Sequence, residues 1–269
     1  MTVSMVAIVE DLRAETLDLE RMLAPLPAAA WDTATPAPGW TVRDQVSHLA
    51  WFDDAAVQAV TAPEDFRAAT AEVMAGALDA DDIAAHYRAL SVPDVREWFR
   101  AARARLLDIL AGLDAKTRIP WYGPDMSAAS FATARLMETW AHGQDVADAL
   151  GASRPPTDRL RHVAHIGVRA LPYSFAVHGR QVPAAPVRVE LTLPSGAVFA
   201  LGPQPAADAV SGEALDFCLV VTQRRHLADV ALEVTGPVAA EWMPIAQAFA
   251  GPPGAGRSPG QFARAGGGV

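Results

Sequence analysis

The sequence holds one cysteine, Cys218, among 269 residues. No internal disulfide can form, so packing must hold the fold, and a reducing cytoplasm is the expected setting. Long apolar runs are also missing, because acidic and basic residues interrupt each one well short of membrane-spanning length. The first residues, Met1-Thr2-Val3-Ser4-Met5, lack a basic stretch followed by an apolar block, so no signal peptide is expected. Positive charge is in deficit. A net charge of −9 argues against nucleic acid or an anionic membrane surface as partner. No Gly-x-Ser-x-Gly elbow, phosphate loop or dinucleotide fingerprint appears. What remains is 51% hydrophobic and 20% charged, enough for a sizeable core in one or two domains.

Residues 3–24 place Met5, Ile8, Val9, Leu12, Leu19 and Leu23 near a helical period, and Pro25 and Pro27 end that helix. Thr41-Val42-Arg43-Asp44 resembles a capping box with Asp in place of Glu, so a second helix starts near Val42 and runs towards Val60. Residues 62–93 read as one or two short helices, with Asp79, Asp81 and Asp82 as caps. From Asp94 an apolar stripe runs through Val95, Trp98, Phe99, Ala102, Leu106, Ile109, Leu110 and Leu113. Lys116 to Met126 reads as a loop. Ser127 then caps a helix that reaches Leu150 before Gly151. Four long helices with loop-rich connections imply a four-helix bundle over 1–153. After Arg154-Pro155-Pro156 the texture changes. A helix near Asp158–Leu171 is followed by strands at Val187–Leu193 and Ala197–Leu201, turned by Pro194-Ser195-Gly196. A helix over Gly212–Arg225, a strand at Val230–Val234 and a last helix at Glu241–Ala250 complete an α+β domain over 154–269. The tail from Gly251 to Gly268 reads as mobile at its end. The fold class is therefore α+β, bundle first.

Glu138 and His142 lie four apart, so a helix projects both from one face. His48, mid-way along the second helix, could bring a third ligand to them. Two imidazoles and a carboxylate with one position open make a zinc site, and nickel or iron would fit nearly as well. The same pair also reads as a Glu–His hydrogen bond on a partly buried face. Asp44 and Asp145 read as acceptors for the ligands' ring N–H groups or as solvated carboxylates. Trp51 supplies apolar bulk beside His48, and Trp121-Tyr122 forms a plug or a pocket mouth. Arg224-Arg225 reads as a helix-end cap or as a clamp for the carboxylate of a substrate or cofactor. His162 and His165 lack a nearby carboxylate, and Cys218 sits in an apolar run as a core group.

Pro38-Gly39-Trp40-Thr41-Val42-Arg43-Asp44-Gln45-Val46-Ser47-His48-Leu49, together with Glu138-Thr139-Trp140-Ala141-His142, resembles the DinB-like metal-binding bundle. More narrowly it is similar to the N-terminal domain of mycothiol-dependent maleylpyruvate isomerases, within an actinobacterial subfamily. The resemblance implies zinc on His48, Glu138 and His142, and a fourth position for the thiol of mycothiol. It implies a thiol-using isomerase or S-transferase acting on a small electrophile, with Arg224 or Arg225 assisting from the second domain. Two other functions fit the same ligands: a non-catalytic metal-binding protein, and a hydrolase of a thiol conjugate using metal-bound water. The partners expected are a small-molecule substrate and a low-molecular-weight thiol, in a monomer or a dimer.

Overall fold

The computed structural model describes residues 4–72 and 80–262. The chain divides into two compact units, Met1–Arg154 and Pro155–Val269. Asp79 and the residues beyond Phe262, where a cap and a mobile end were expected, lie outside the described residues.

The first unit is built on four long helices: α1 (Met5–Leu23), α2 (Val42–Thr61), α5 (Val92–Ala111) and α6 (Ala128–Leu150). Each N-terminus is closed by a hydroxyl. Ser4, Thr41, Ser91 and Ser127 accept from the backbone of the first turn, satisfying N–H groups that the helix itself cannot. Pro93 in the first turn of α5 moves its start two residues ahead of the expected Asp94. Gly151, at φ 61°, takes the left-handed conformation that ends α6. α2 packs on α5 and α6, and α1 packs on α6 and α5. Leu12, Leu19, Leu49, Phe99, Leu106 and Phe131 fill the space between them. Two short helices, α3 (Pro63–Glu72) and α4 (Ala80–Tyr87), lie on α2. The expected loop before α6 contains a two-residue antiparallel ladder, β1 (Arg118–Ile119) with β2 (Met126–Ser127).

The second unit carries a four-stranded sheet in the order β4-β3-β5-β6, formed by β3 (Val187–Thr192), β4 (Val198–Leu201), β5 (Asp208–Glu213) and β6 (Glu233–Thr235). β3 and β5 are parallel and the other pairings antiparallel. Its helices are α7 (Leu160–Arg169), α8 (Leu171–Val177), α9 (Ala214–Val221) and α10 (Pro237–Trp242). α7 and α9 meet at Gly167, where a Cβ would lie 2.7 Å from Val221 Cγ2 and 3.0 Å from Phe217.

Four boundaries differ from the sequence reading, each for a local reason. α7 breaks before Leu171, where Pro172 starts α8. Gly212 and Glu213 end β5, a strand that Pro205 and Gly212 obscure, so α9 begins at Ala214. β6 begins at Glu233 rather than Val230. The last helix starts at Pro237, where the Asp208 carboxylate accepts from Val238 N and Ala239 N, and it ends near Trp242. No helix among the described residues is long and apolar enough to cross a membrane.

Candidate metal centre

The capping box fixes where α2 starts. Asp44 Oδ2 accepts from Thr41 N at 2.8 Å, and Thr41 Oγ1 accepts from Asp44 N. His48 therefore falls in the second turn, on the side that meets α6, while Glu138 and His142 leave α6 one turn apart. One ligand atom from each of the three residues lies within 4.8 Å of the others, and among the described residues no other group of metal-binding side chains does this. The His48 and His142 ring centroids are 4.4 Å apart. His142 Nε2 is 3.2 Å from Glu138 Oε2. Two ligand atoms on one tetrahedral zinc sit roughly 3.3 Å apart, given zinc–nitrogen bonds of about 2.0 Å. The donor set therefore fits such an ion after side-chain adjustments of about 1 Å.

Electrostatics favour the same use. Burial pushes the Glu138 carboxyl upwards, but the hydrogen bond from His142 and the charges of His142, Arg135 and His48 outweigh it, holding the group at about 2. The carboxylate is thus ionised at any physiological pH. His142 Nε2 faces Glu138 Oε2, and its Nδ1 is hydrogen-bonded to Gln45 Oε1. A cation held between these residues would meet an anion already in place.

The surroundings are apolar and aromatic. Trp40 lies 5.2 Å from His48 and stacks at 6.0 Å on His142, while Phe52 lies 4.5 Å from His48. Trp40 is held by its indole N–H on Asp81 Oδ1 at 2.6 Å. Of the pocket residues expected from sequence, Trp51 and Tyr122 line a cleft of about 260 Å³ with Asp54, Gln58, Phe66 and Trp98. His48, Glu138 and His142 do not line it. Trp121 acts as a plug, stacked on Phe66 at 5.6 Å and edge-on to Phe131 at 4.8 Å.

Asp44 is engaged elsewhere than at His48 or His142. Its carboxylate serves the cap and accepts from Arg88 Nε at 3.0 Å and Nη2 at 3.1 Å. Asp145 is buried on α6, three residues beyond His142. Arg224 and Arg225 lie past the end of α9, not on it. Their N–H groups close the helix on Leu219 O, and the Arg225 guanidinium sits 4.1 Å above the Phe262 ring. Cys218 is fully buried, donates to Leu160 O, and burial pushes its thiol well up, so it is no nucleophile.

Sequence reasoning missed the polar residues that tie α2 to α6 on either side of His48. Gln45 meets His142 on one side. On the other, Asp53 accepts from Arg135 at 3.0 Å and from Arg103 at 2.6 Å, all three buried. The available signal was a polar residue at positions −3 and +5 from His48, on a helix face otherwise bound for the core.

Comparison with known proteins shows the family and the fold. The family model described as the mycothiol maleylpyruvate isomerase N-terminal domain matches residues 12–147. Uncharacterized proteins of two Mycobacterium tuberculosis strains are 50% identical over 254 residues, covering 93% of this chain and 97% of theirs. Two crystal structures of mycothiol-dependent maleylpyruvate isomerase, one of a histidine mutant, superpose with a TM-score of 0.56 at 16% identity. They cover 83% of this chain and 90% of theirs, which establishes the shared α+β fold. The chain belongs to the DinB-like family of mycothiol maleylpyruvate isomerases.

Proposed function

We propose that the protein is a metal-dependent isomerase or S-transferase that activates a low-molecular-weight thiol, mycothiol, against a small electrophile. His48, Glu138 and His142 are its metal ligands, with zinc as the first choice and nickel or iron as fitting substitutes. One observation carries this reading: two imidazoles and an ionised carboxylate converge from α2 and α6, in a family of mycothiol-related isomerases. Bound zinc would lower the pKa of a thiol in the open position and present it as thiolate. The chain contributes the rest. Glu138 supplies fixed negative charge, His142 would offer Nε2 beside it, and Trp40 and Phe52 exclude water from the histidine faces.

In isomerisation the thiolate sulfur bonds to an electron-poor alkene carbon while the π pair moves onto the conjugated carbonyl. Rotation about the resulting single bond follows. The pair then returns, the sulfur–carbon bond breaks, and the thiolate is regenerated with no net redox change. In S-transfer the same attack expels a leaving group with its bonding pair. Arg224 and Arg225 are our candidates for a ligand carboxylate, and separate replacement by Gln should raise KM. The cytoplasm, where free thiols persist, is the proposed setting.

The test measures metal content and turnover together, for wild type and His142→Ala, on activated alkenes and alkyl halides with and without mycothiol. Loss of the metal and of thiol-dependent turnover in the variant is expected. Thiol-dependent turnover retained by the metal-free variant would overturn the reading. Hydrolysis with no thiol added would point to metal-bound water as nucleophile, and stoichiometric metal without turnover to a binding protein.

A further inference from the structure

A histidine offers a metal two different nitrogens, and a neutral ring can bind through one only if its proton stays on the other. At His142 the polar group facing Nδ1 is Gln45, fully buried and three residues before His48 on α2. Spacing of three places the two side chains on the same side of the helix. A buried carboxamide is costly unless each end finds a partner, and here each does.

The partners also orient it. Thr35 Oγ1 donates its single proton to Trp40 O at 2.9 Å, so towards Gln45 it can only accept. Gln45 Nε2 donates to that oxygen at 3.0 Å. The amide oxygen is therefore turned to His142 Nδ1, where it can only accept. A reversed amide would aim its carbonyl at a hydroxyl whose proton is already engaged. The chain of donors thus has one direction, from His142 through Gln45 and Thr35 to the Trp40 carbonyl. Trp40 also stacks its indole on the same imidazole, with an interplanar angle of 20°.

We infer that Gln45 is a positioning residue that keeps a proton on His142 Nδ1 and so assigns Nε2, the nitrogen beside Glu138, to the metal, with Thr35 fixing the orientation of Gln45. This rests on the metal-centre reading proposed above. A hydrogen-bonded outer partner of this kind typically contributes 10- to 100-fold to metal affinity.

The experiment uses the full chain, with zinc affinity measured by competition with a chromogenic chelator. Long-range 1H–15N spectra of 15N-histidine-labelled protein report which ring nitrogen is protonated and which is metal-bound. Wild type should bind one zinc with His142 protonated at Nδ1 and metal-shifted at Nε2. Gln45→Leu, similar in volume but without an acceptor, should weaken zinc by about 10- to 100-fold. Gln45→Glu restores an acceptor and should bind zinc at least as tightly as wild type. Thr35→Val, which releases the amide orientation, should fall between wild type and Gln45→Leu. These last two variants carry the test if Gln45→Leu does not fold. Wild-type affinity in Gln45→Leu, zinc bound through His142 Nδ1, or equal losses in the Leu and Glu variants would overturn the inference. Zinc binding that His48→Ala abolishes but Gln45→Leu leaves intact defeats this inference alone. Failure of wild type to bind zinc, or unchanged affinity in His48→Ala, defeats the metal-centre reading and this inference with it.

Discussion

Replacing Asp53 by Asn should be among the most damaging single changes in the bundle. The Asp53 carboxylate is fully buried and accepts from Arg103 Nε at 2.6 Å and from Arg135 Nη2 at 3.0 Å. Arg103 also donates to Thr16 on α1, and Arg135 lies near Leu49 O and the Phe52 ring, so one carboxylate links four helices. Asn preserves the volume and removes the charge. Two guanidinium groups, with side chains 2% and 4% exposed, then lose their shared counterion. Breaking a buried ion pair costs about 3–5 kcal/mol. In a unit of this size 1 kcal/mol shifts the midpoint by roughly 2–4 °C, so the bundle transition should fall by about 10 °C. Circular dichroism of the metal-free protein reads this directly. Replacing all three together, as Asp53→Leu with Arg103→Met and Arg135→Met, should recover most of the loss, because well-packed apolar groups commonly equal a buried ion pair. A drop of less than about 1 kcal/mol in Asp53→Asn would refute the argument, since an exposed pair loses no more than that.

Three further outcomes follow from single groups. The Glu138 carboxyl is lowered from 4.5 to about 2 in the fold, so its stabilisation is complete above pH 4.5 and is lost as pH falls towards 2. Glu138→Gln should flatten that acid limb in metal-free protein, and an unchanged limb would contradict the assignment. Burial pushes the Tyr122 phenol to about 12, against the lowering effect of Arg135, so a spectrophotometric titration should show a late phenolate step from this residue. Tyr122→Phe should remove that late step. In the second unit, Gly167→Ala forces a methyl against Val221 and Phe217 and should cost about 1–3 kcal/mol in denaturant unfolding, with zinc affinity unchanged.

The bundle helices were legible because their signals are local. Thr41 with Asp44, Ser127 and Gly151 each act within a turn, and the apolar stripes repeat at the helical period. The spacing of Glu138 and His142 was legible for the same reason. The second unit was harder to read. β5 contains Gly212 and no run of β-branched residues, and it exists because β3 and β6 supply its hydrogen bonds. Asp44 misled because a carboxylate one turn from His48 resembles an outer ligand partner. The short range of the capping box and Arg88 claimed it first.

By itself the amino-acid order determined the α+β class, the start of α2 at its capping box, the phase of His48 on that helix, and the one-face pairing of Glu138 with His142. Only the tertiary structure decided that α2 and α6 bring those three side chains within 4.8 Å. It also decided that Gln45 faces the His142 ring while Asp44 serves the helix cap and Arg88, and that Asp53 gathers two buried arginines. The physical reason is range. Caps and helical periods act between residues a few positions apart, whereas Gln45 meets His142 across 97 positions and Asp53 meets Arg135 across 82. Contacts at that separation form only when the packed core sets the register of the two helices.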